Sequence, residues 1–507
     1  MPEGVRGGTP QVPCLSYAPF RRGQTPFDPR FVASEAQIDQ DMAALSRITR
    51  CVRTYSVGQG LDRVPEIAAR HGMQTLMGIW LGRDPVANEA EIELAVATAG
   101  PQAANIRAIV VGNEVLLRRE LTAETLGAII RGVDERVGVP VTYADVWEFW
   151  IRNKPLADRV DFITIHILPY WEDEPVAASE AAQHVVDVRN EVAAIFPGRR
   201  LLIGETGWPS QGRMRSSALP SPHNQARVVQ ELIKLGRERA YEMNIIEAFD
   251  QPWKRVLEGT VGGAWGLLGA DSRSLKFEWG GPVSNSPLWP FQAAVGIVFG
   301  IAILGIAIHS SRNSIWPLSR VDWLAIVGLA IVAGGTLGAT VESGIVQARD
   351  LSSTLRVAAL AGLAVALPVM ASRLRGGTVS PRPLGHLGSL RTGRRAAWLF
   401  GVGQGAAGVA ALALALALVF DPRYRDFPVA PFAAIAAAAL VAPVRTGRHD
   451  HARAERWLGI MIMLCAVTIV LREGIENAQA LLFAAALVIL GQNLVRGAAV
   501  PKQAARG

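Results

Sequence analysis

The alternation of apolar and polar positions divides the chain into two parts near residue 287. Before that point, short runs of β-branched and aliphatic residues alternate with stretches whose apolar residues recur at helical spacing. The runs predict strands at 14–20, 51–57, 74–81, 107–113, 140–147, 160–168, 200–205 and 244–250. The amphipathic stretches predict helices at 36–48, 60–71, 88–99, 121–137, 178–195 and 223–240.

Strands that are separated by helices favour parallel pairing through crossover connections. Eight of them within about 250 residues fit a closed (β/α)8 TIM barrel, an α/β fold whose active site lies at the carboxyl ends of the strands. An open doubly wound sheet is the alternative, but no glycine-rich phosphate-binding motif supports it. We therefore predict a barrel domain over residues 1–286.

Long apolar stretches dominate the second part. Several reach the ~18–20 residues that cross a hydrocarbon core, while two are shorter. The seven runs lie roughly at 291–308, 323–341, 355–372, 397–420, 429–444, 457–471 and 478–495. A soluble helical domain is the alternative, but seven nearly uncharged runs in succession favour an all-α transmembrane domain of about seven helices over residues 287–507.

Arginine and lysine are unevenly distributed among the loops that join these runs. One alternate set, which includes the loops 373–396 and 445–456 and the tail, carries 15 cations, whereas the other set carries 5. The positive-inside rule places the richer set in the cytoplasm. With seven spans, the barrel is then expected on the outer side of the membrane.

The first ten residues contain no apolar segment that could act as a signal peptide or anchor. Since a translocated barrel needs one, we expect a hydrophobic segment upstream of Met1, with a cytoplasmic barrel as the alternative. Cys14 and Cys51 begin neighbouring predicted strands, so a disulfide is conceivable, but buried free thiols are expected. The net charge of +7 comes largely from loop arginines facing lipid head groups and does not indicate nucleic acid.

Two acidic motifs carry the candidate chemistry. Val-Val-Gly-Asn113-Glu114 and Ile-Gly-Glu205-Thr-Gly-Trp208-Pro each place a glutamate where a predicted strand ends. Cleavage or transfer of a glycosidic bond needs one protonated and one ionised carboxyl group. We assign Glu114 as general acid/base with a raised pKa, because a buried, partly apolar setting disfavours the charged form. Asn113 is expected to hydrogen-bond the sugar 2-hydroxyl.

These motifs, together with Glu247-Ala-Phe-Asp-Gln-Pro-Trp-Lys254, resemble glycoside hydrolase family 17 over roughly residues 12–280. That family contains β-1,3-glucanases and β-1,3-glucanosyltransferases on a (β/α)8 barrel. Its bacterial branch with fused membrane helices, linked to periplasmic β-glucan synthesis, matches the layout of this chain. Gln251 and Gly262-Gly263 depart from positions that are often acidic in the family, which bears on linkage and acceptor choice.

The resemblance implies a retaining mechanism in which Glu205 is the nucleophile and forms a covalent glycosyl-enzyme. It further implies that the Tyr170 hydroxyl donates to Glu205. Tyr17 and Tyr55 are similar to family residues that line the donor side.

Thirteen tryptophans also direct attention to sugar stacking, since flat apolar rings suit the C–H faces of pyranoses. We predict substrate platforms at strand ends, with ordinary packing as the alternative for each ring. They are Trp208, Trp253, Trp171 and Trp147. Glu247 and Asp250 are expected to support the floor of the site, His166 and His184 to be structural, and no metal or cofactor to be required.

The resulting hypothesis is a membrane-anchored retaining glucanosyltransferase that acts on β-1,3-glucan in a bacterial inner membrane, with a periplasmic catalytic domain. The expected partners are the glucan, the lipid bilayer and a glucan synthase. A secreted-side endo-β-1,3-glucanase is the alternative enzyme. A glucan-binding sensor or transporter is the alternative of another class, although a binder has no need of both glutamates.

Overall fold

The computed structural model describes residues 11–312, 318–375, 395–442 and 452–497. Most of the arginine-bearing loops discussed above, at 376–394 and 443–451, therefore lie outside the described residues. The chain separates into two compact units, Met1–Asn285 and Ser286–Gly507.

The first unit is a closed barrel of eight parallel strands in sequential order, which confirms the predicted (β/α)8 fold. Each strand pairs with the next, and the last returns to the first through Leu15 and Ile245. The strands are β1 (Leu15–Ser16), β2 (Cys51–Arg53), β3 (Gln74–Ile79), β4 (Ile106–Asn113), β5 (Val141–Val146), β6 (Ile163–His166), β7 (Leu201–Thr206) and β8 (Glu242–Ile245).

Helices cover the outside of this barrel. They are α1 (Glu35–Leu45), α2 (Val64–Arg70), α3 (Pro85–Gln102), α4 (Ala123–Asp134), α5 (Trp147–Arg152), α6 (Ala181–Ile195), α7 (Pro222–Glu238) and α8 (Arg255–Gly262). The predicted amphipathic stretches correspond to six of these helices, α1–α4, α6 and α7. The two short helices α5 and α8 were not predicted, α5 because its apolar residues continue the strand that precedes it. Side-chain caps begin several helices: Ser34, Asp84, Thr122 and Ser221 each accept a backbone N–H of the first turn.

Inside the barrel, Cys14 and Cys51 form a disulfide between the starts of the first two strands. Both residues are buried in an apolar cluster with Leu76, Ala108, Phe162 and Leu202. The expectation of free thiols is therefore wrong. Sequential strands of a closed barrel are hydrogen-bonded neighbours, and their matching starts bring the two cysteines together.

The second unit is entirely helical within the residues that the structure describes. Six helices are long and apolar enough to cross a membrane, while α13, with 13 residues, is shorter. This confirms the predicted all-α multi-span architecture. The helices are α9 (Trp289–Arg312), α10 (Arg320–Gln347), α11 (Leu351–Arg375), α12 (Arg395–Phe420), α13 (Val429–Val441), α14 (Ala452–Glu473) and α15 (Ala478–Gly497).

Glycines allow two pairs of these helices to approach closely. A Cβ built on Gly296 of α9 would lie 2.4 Å from the carbonyl oxygen of Gly334 on α10, and the reverse substitution meets the same obstacle. Gly459 of α14 similarly faces Gly491 of α15, with a corresponding distance of 2.5 Å. Small residues at such contacts are typical of helices that associate in lipid. Close approach of the two backbones there gives the van der Waals packing that stabilises the helix pair.

Candidate active site

The Gly-Asn-Glu motif forms a sharp turn at the carboxyl end of β4. Gly112 has a φ of 87°, and a Cβ at this position would lie 2.7 Å from the Val115 side chain. Glu114 itself has a φ of 54°, a conformation that non-glycine residues adopt rarely. The turn keeps Asn113 buried and leaves the Glu114 side chain 22% exposed. A carboxyl group that reaches solvent at the rim of the barrel can meet a substrate.

Glu205 occupies the matching position near the end of β7 and is only 5% exposed. The preceding residue, Gly204, has no side chain, and this allows β7 to pack closely against side chains of β6. A Cβ there would lie 2.4 Å from the Thr164 methyl group and 3.1 Å from the His166 ring. The glycine in this motif is thus explained by close packing against β6.

His166, at the end of β6, lies between the two glutamates. Its Nδ1 is 3.0 Å from Glu114 Oε1, and its Nε2 is 3.7 Å from Glu205 Oε1. The ring is completely buried. The expectation that this histidine is merely structural is therefore not supported by its position, since one ring contacts one carboxylate and approaches the other.

Arg53, at the end of β2, connects the two acidic motifs through Asn113, Gly204 and Glu205. Its guanidinium donates to Asn113 Oδ1 at 2.6 Å, to the Gly204 carbonyl at 2.7 Å and to Glu205 Oε1 at 3.3 Å. The side chain is 1% exposed. Because arginine remains protonated even when buried, it supplies a permanent positive charge beside Glu205.

The sequence analysis missed Arg53, although a signal for it was present. The residue stands in the apolar strand Cys-Val-Arg-Thr-Tyr, and a cation within a buried strand requires a partner. Two of the partners, Gly204 and Glu205, lie about 150 positions further along the chain. Only the closure of the barrel shows that they are neighbours.

The pKa of Glu114 differs from the prediction. Burial raises it, but the hydrogen bond and positive charge of His166, with smaller contributions from Arg53 and Arg118, outweigh burial and lower it. The expectation of a raised pKa is therefore wrong for the unliganded site. An ionised carboxylate only accepts hydrogen bonds, so the proton between Glu114 and His166 lies on Nδ1.

One acceptor atom each from Glu114, His166 and Glu205 lies within 4.8 Å of the others, a grouping that a metal ion could bridge. The guanidinium of Arg53 lies 3.4 Å from His166 Nε2 and 3.3 Å from Glu205. The positive charge of Arg53 would repel a metal ion bound between Glu114, His166 and Glu205. The same charge stabilises the carboxylates, so the cluster is a poor fit for a metal and a good fit for two carboxylates.

Tyr170 and Trp208 are placed differently from their predicted roles. The Tyr170 hydroxyl donates to the Arg213 carbonyl at 2.8 Å, so its proton does not point to Glu205 as predicted. Trp208 is fully buried, and its ring nitrogen donates to the Leu219 carbonyl at 3.1 Å. A sugar cannot stack on a ring without an exposed face, so Trp208 supports the wall of the site from behind.

The two predicted donor-side tyrosines also differ from each other. Tyr17 is fully buried and donates to Asp41 on α1 at 3.0 Å, which removes it from the substrate surface. Tyr55 is half-buried, donates to Ser16 at 2.9 Å and packs against the guanidinium of Arg53 at 4.8 Å. Burial, and to a smaller extent the negative charge of Glu205, raise the pKa of Tyr55.

Three of the predicted tryptophan platforms remain partly exposed. Trp171 contacts Tyr170 edge-on at 4.9 Å, and Trp253 contacts Phe20 at 5.8 Å. Trp147 lies 3.4 Å from Glu172 through its ring nitrogen. All three belong to segments that follow the carboxyl ends of strands, the ends that carry the candidate active site in this fold.

Two further carboxylates, which the sequence placed within the eighth predicted strand, follow β8 instead, because that strand ends at Ile245. Glu247 is 1% exposed and pairs with Lys254 at 2.8 Å; burial, only partly offset by the lysine, raises its pKa to about 7. Asp250 pairs with Lys276 at 2.8 Å. Both ion pairs lie within the segment that follows β8 and tie distant parts of that segment together.

A closed parallel barrel with two facing carboxyl groups at the carboxyl ends of its strands defines a glycosidase architecture. The barrel domain of this chain belongs to the BtgE/BtgC glycoside hydrolase domain family, whose model matches residues 14–266. The predicted relationship to glycoside hydrolases of family 17 is thereby confirmed.

Yeast enzymes are among the curated relatives of this barrel. A glucan 1,3-beta-glucosidase of Candida albicans is 28% identical over 262 residues, which are 47% of this chain and 84% of the relative. The glucan 1,3-beta-glucosidase of Schizosaccharomyces pombe is 28% identical over 238 residues, or 42% of this chain and 72% of the relative.

A solved structure of similar fold is the glycoside hydrolase family 17 beta-1,3-glucanosyltransferase from Rhizomucor miehei. Its sequence is 25% identical, and the TM-score is 0.46, with 52% of this chain and 94% of that chain covered.

Proposed function

We propose that this protein is a retaining glucanosyltransferase that acts on β-1,3-glucan. The observation that carries the proposal is the approach of Glu114 and Glu205, whose facing oxygens lie within 4.8 Å of each other. Retaining glycosidases hold their two carboxyl groups at roughly 5–5.5 Å, whereas inverting enzymes leave room for a water at roughly 6.5–9.5 Å. The names of the curated relatives support β-1,3-glucan as the substrate.

Glu205 is the proposed nucleophile. The buried guanidinium of Arg53 favours its ionised form, because an adjacent positive charge stabilises a carboxylate. Its oxygen attacks the anomeric carbon, and the bond from that carbon to the leaving oxygen breaks. The product of this step is a covalent glycosyl-enzyme.

Glu114 is the proposed acid/base, and His166 supplies its proton. In the free site the proton lies on His166 Nδ1, 3.0 Å from Glu114 Oε1. A bound sugar covers the exposed part of Glu114 and removes water, which favours the neutral pair over the charged one. The proton then moves to Glu114 and from there to the departing oxygen.

Asn113 is the proposed partner of the sugar 2-hydroxyl. Arg53 holds its Oδ1 at 2.6 Å, so the amide is fixed with its Nδ2 group as the end that can turn toward a substrate. A contact to the 2-hydroxyl strengthens as positive charge develops on the sugar ring. Tyr55, Trp171 and Trp253 are the proposed aromatic neighbours of the bound glucan.

The second half-reaction distinguishes transfer from hydrolysis. Glu114 takes a proton from an incoming hydroxyl, and the oxygen of that hydroxyl displaces Glu205 from the sugar. An oligosaccharide held on aromatic rings has an effective-concentration advantage over water. Half-buried Trp171 and Trp253 support such an acceptor site.

The experiment is incubation of the purified full-length protein with a single laminari-oligosaccharide, followed by mass spectrometry. Transfer predicts products longer than the substrate, and Glu205→Gln should yield none. Exclusively shorter products at high substrate concentration would establish the endo-β-1,3-glucanase alternative. Binding without any product would favour the glucan-binding sensor or transporter.

We further propose that the protein belongs to a bacterial inner membrane, with its barrel in the periplasm and a glucan synthase as partner. The six long apolar helices support insertion in a lipid bilayer. The disulfide between Cys14 and Cys51 supports an oxidising compartment for the barrel, since disulfides are rare in the cytosol.

A further inference from the structure

An exposed aromatic ring stands on the segment that joins β1 to α1. Phe27 is 67% exposed, which is unusual for a phenylalanine whose backbone is well anchored. The segment follows the carboxyl end of a barrel strand and therefore lies on the face that carries the candidate active site.

The position of Phe27 is held by Gln59 of the segment between β2 and α2. The Gln59 amide donates to the carbonyl of Pro26 at 3.2 Å and to that of Asp28 at 3.1 Å. These are the residues immediately before and after Phe27. The backbone N–H of Phe27 also donates to the Thr25 hydroxyl at 3.3 Å. The exposed ring is thus presented on a fixed support.

The ring of Phe27 adjoins a predicted substrate platform. Phe27 and Trp253 meet edge to face, with their centroids 5.6 Å apart and their planes at 81°. Phe20 contacts the same tryptophan at 5.8 Å. Trp253 is also fixed through its ring nitrogen, which donates to Gln251 at 2.9 Å. Together Phe27, Phe20 and Trp253 form what we call the aromatic shelf.

The shelf is continuous with the candidate active site through Lys254. The Nζ of Lys254 lies 5.9 Å from the centre of the Trp253 ring and 2.8 Å from Glu247. Burial lowers the pKa of this lysine, but the charges of Glu247, Glu258 and Glu205 outweigh burial and raise it. Glu247 lies two residues beyond the end of β8, so the inner end of the shelf lies at the carboxyl end of that strand.

We propose that Phe27 forms an outer glucan subsite, at which a sugar distant from the cleaved bond stacks on its exposed face. This inference rests on the proposed function and adds a residue that selects longer glucan chains. A sugar ring presents axial C–H groups to an aromatic face, and the fixed support spares the entropy of ordering a loop. Short substrates occupy only the inner end of the shelf.

The test compares kcat/KM of wild type and Phe27→Ala for laminari-oligosaccharides of increasing length, with the full-length protein. For the longest substrates we expect a loss of about 3- to 10-fold, as for one aromatic contact. The loss should be smaller for the shortest substrates. Phe27→Trp should restore most of the preference for length, and Gln59→Ala should reduce it.

Leu94→Ala is the matched control, because Leu94 is 37% exposed in the middle of α3, away from the carboxyl ends of the strands. It should leave every rate unchanged. An equal effect of Phe27→Ala at all lengths, or none, would overturn the outer subsite alone. If the wild type turned over no laminari-oligosaccharide of any length, the proposed function would fall together with this inference.

Discussion

At the scale of single residues, Arg53 and His166 link the two glutamates into one charged unit. Arg53 reaches Asn113, Gly204 and Glu205, while His166 binds Glu114. All of these side chains except that of Glu114 are nearly inaccessible to solvent. In so buried a group, removal of one charge changes the protonation and orientation of the others.

Glu205→Gln should abolish turnover while leaving the barrel folded. The substitution keeps the volume of the side chain but removes the anionic nucleophile, and a loss on the order of 10³-fold or more is expected. Initial rates on laminari-oligosaccharides provide the measurement, with circular dichroism to verify the fold. Glu238→Gln, at an exposed position in the last turn of α7, is the control. Near-normal turnover by Glu205→Gln would disprove its assignment.

His166→Asn should shift the pH dependence of kcat/KM. Burial raises the pKa of Glu114, and His166 contributes the largest opposing effect. The substitution raises the pKa of Glu114, but it also removes the ring that holds the proton in the free site. An imidazolium ordinarily keeps its proton to a higher pH than a carboxylic acid does. The basic limb of the kcat/KM profile, which reports loss of the proton destined for the leaving oxygen, should therefore move toward lower pH. A basic limb that stays in place or moves upward would contradict the proposed proton exchange.

At the scale of secondary-structure elements, the barrel brings six strand ends into one site and ties the first two strands covalently. The site draws on the ends of β2, β4, β6 and β7 and on the segments after β1 and β8. The disulfide joins the opposite, amino-terminal ends of β1 and β2. It can therefore stabilise the barrel without touching the chemistry.

Replacement of Cys14 and Cys51 by alanine should lower thermal stability and leave the specific activity of the folded protein unaltered. Closing a loop of 37 residues is worth about 2–4 kcal/mol through the entropy of the unfolded chain. The midpoint of thermal unfolding measures the loss. Thiol titration of the denatured, unreduced wild type should find one free cysteine of three, Cys465. Three reactive thiols would exclude the disulfide in the isolated protein.

At the scale of the whole molecule, α13 determines the proposed topology. Its 13 residues extend about 20 Å, less than the ~30 Å of a hydrocarbon core. Most of its residues are buried against α10, α11 and α15, and Asn493 and Arg375 donate to the carbonyls of Ala439 and Val441. Side chains of neighbouring helices thus hydrogen-bond carbonyl groups in the last turn of α13. The helix therefore need not reach both lipid surfaces by itself.

The arginine distribution favours a crossing at α13. If α13 did not cross, the loop 445–456 and the tail would move to the outer side, and the excess of cations in the cytoplasm would be lost. We expect a cytoplasmic reporter fused after Gly507 to be active, and one fused after Asp421 to be inactive. An alkaline phosphatase fusion should give the opposite pattern. Activity of both fusions on the same side would show that α13 does not span.

The periodicity of apolar residues was sufficient to determine the (β/α)8 order and the helical second unit, because both depend on local patterns repeated along the chain. The acidic motifs likewise located Glu114 and Glu205, since strand ends in this fold point to a common face. What the sequence alone did not determine was the direction of individual side chains. Tyr17, Tyr170 and Trp208 stand near strand ends, yet their hydrogen bonds turn them into the protein interior.

Only the tertiary structure decided which distant groups share one charged environment. Arg53 meets Glu205 across the closed sheet, and His166 lowers the pKa of Glu114 that burial alone would raise. The pairing of Cys14 with Cys51 was likewise open until adjacent strands brought them together. Electrostatic and covalent contacts depend on distances of a few ångströms, and such distances between residues far apart in sequence exist only once the barrel has closed.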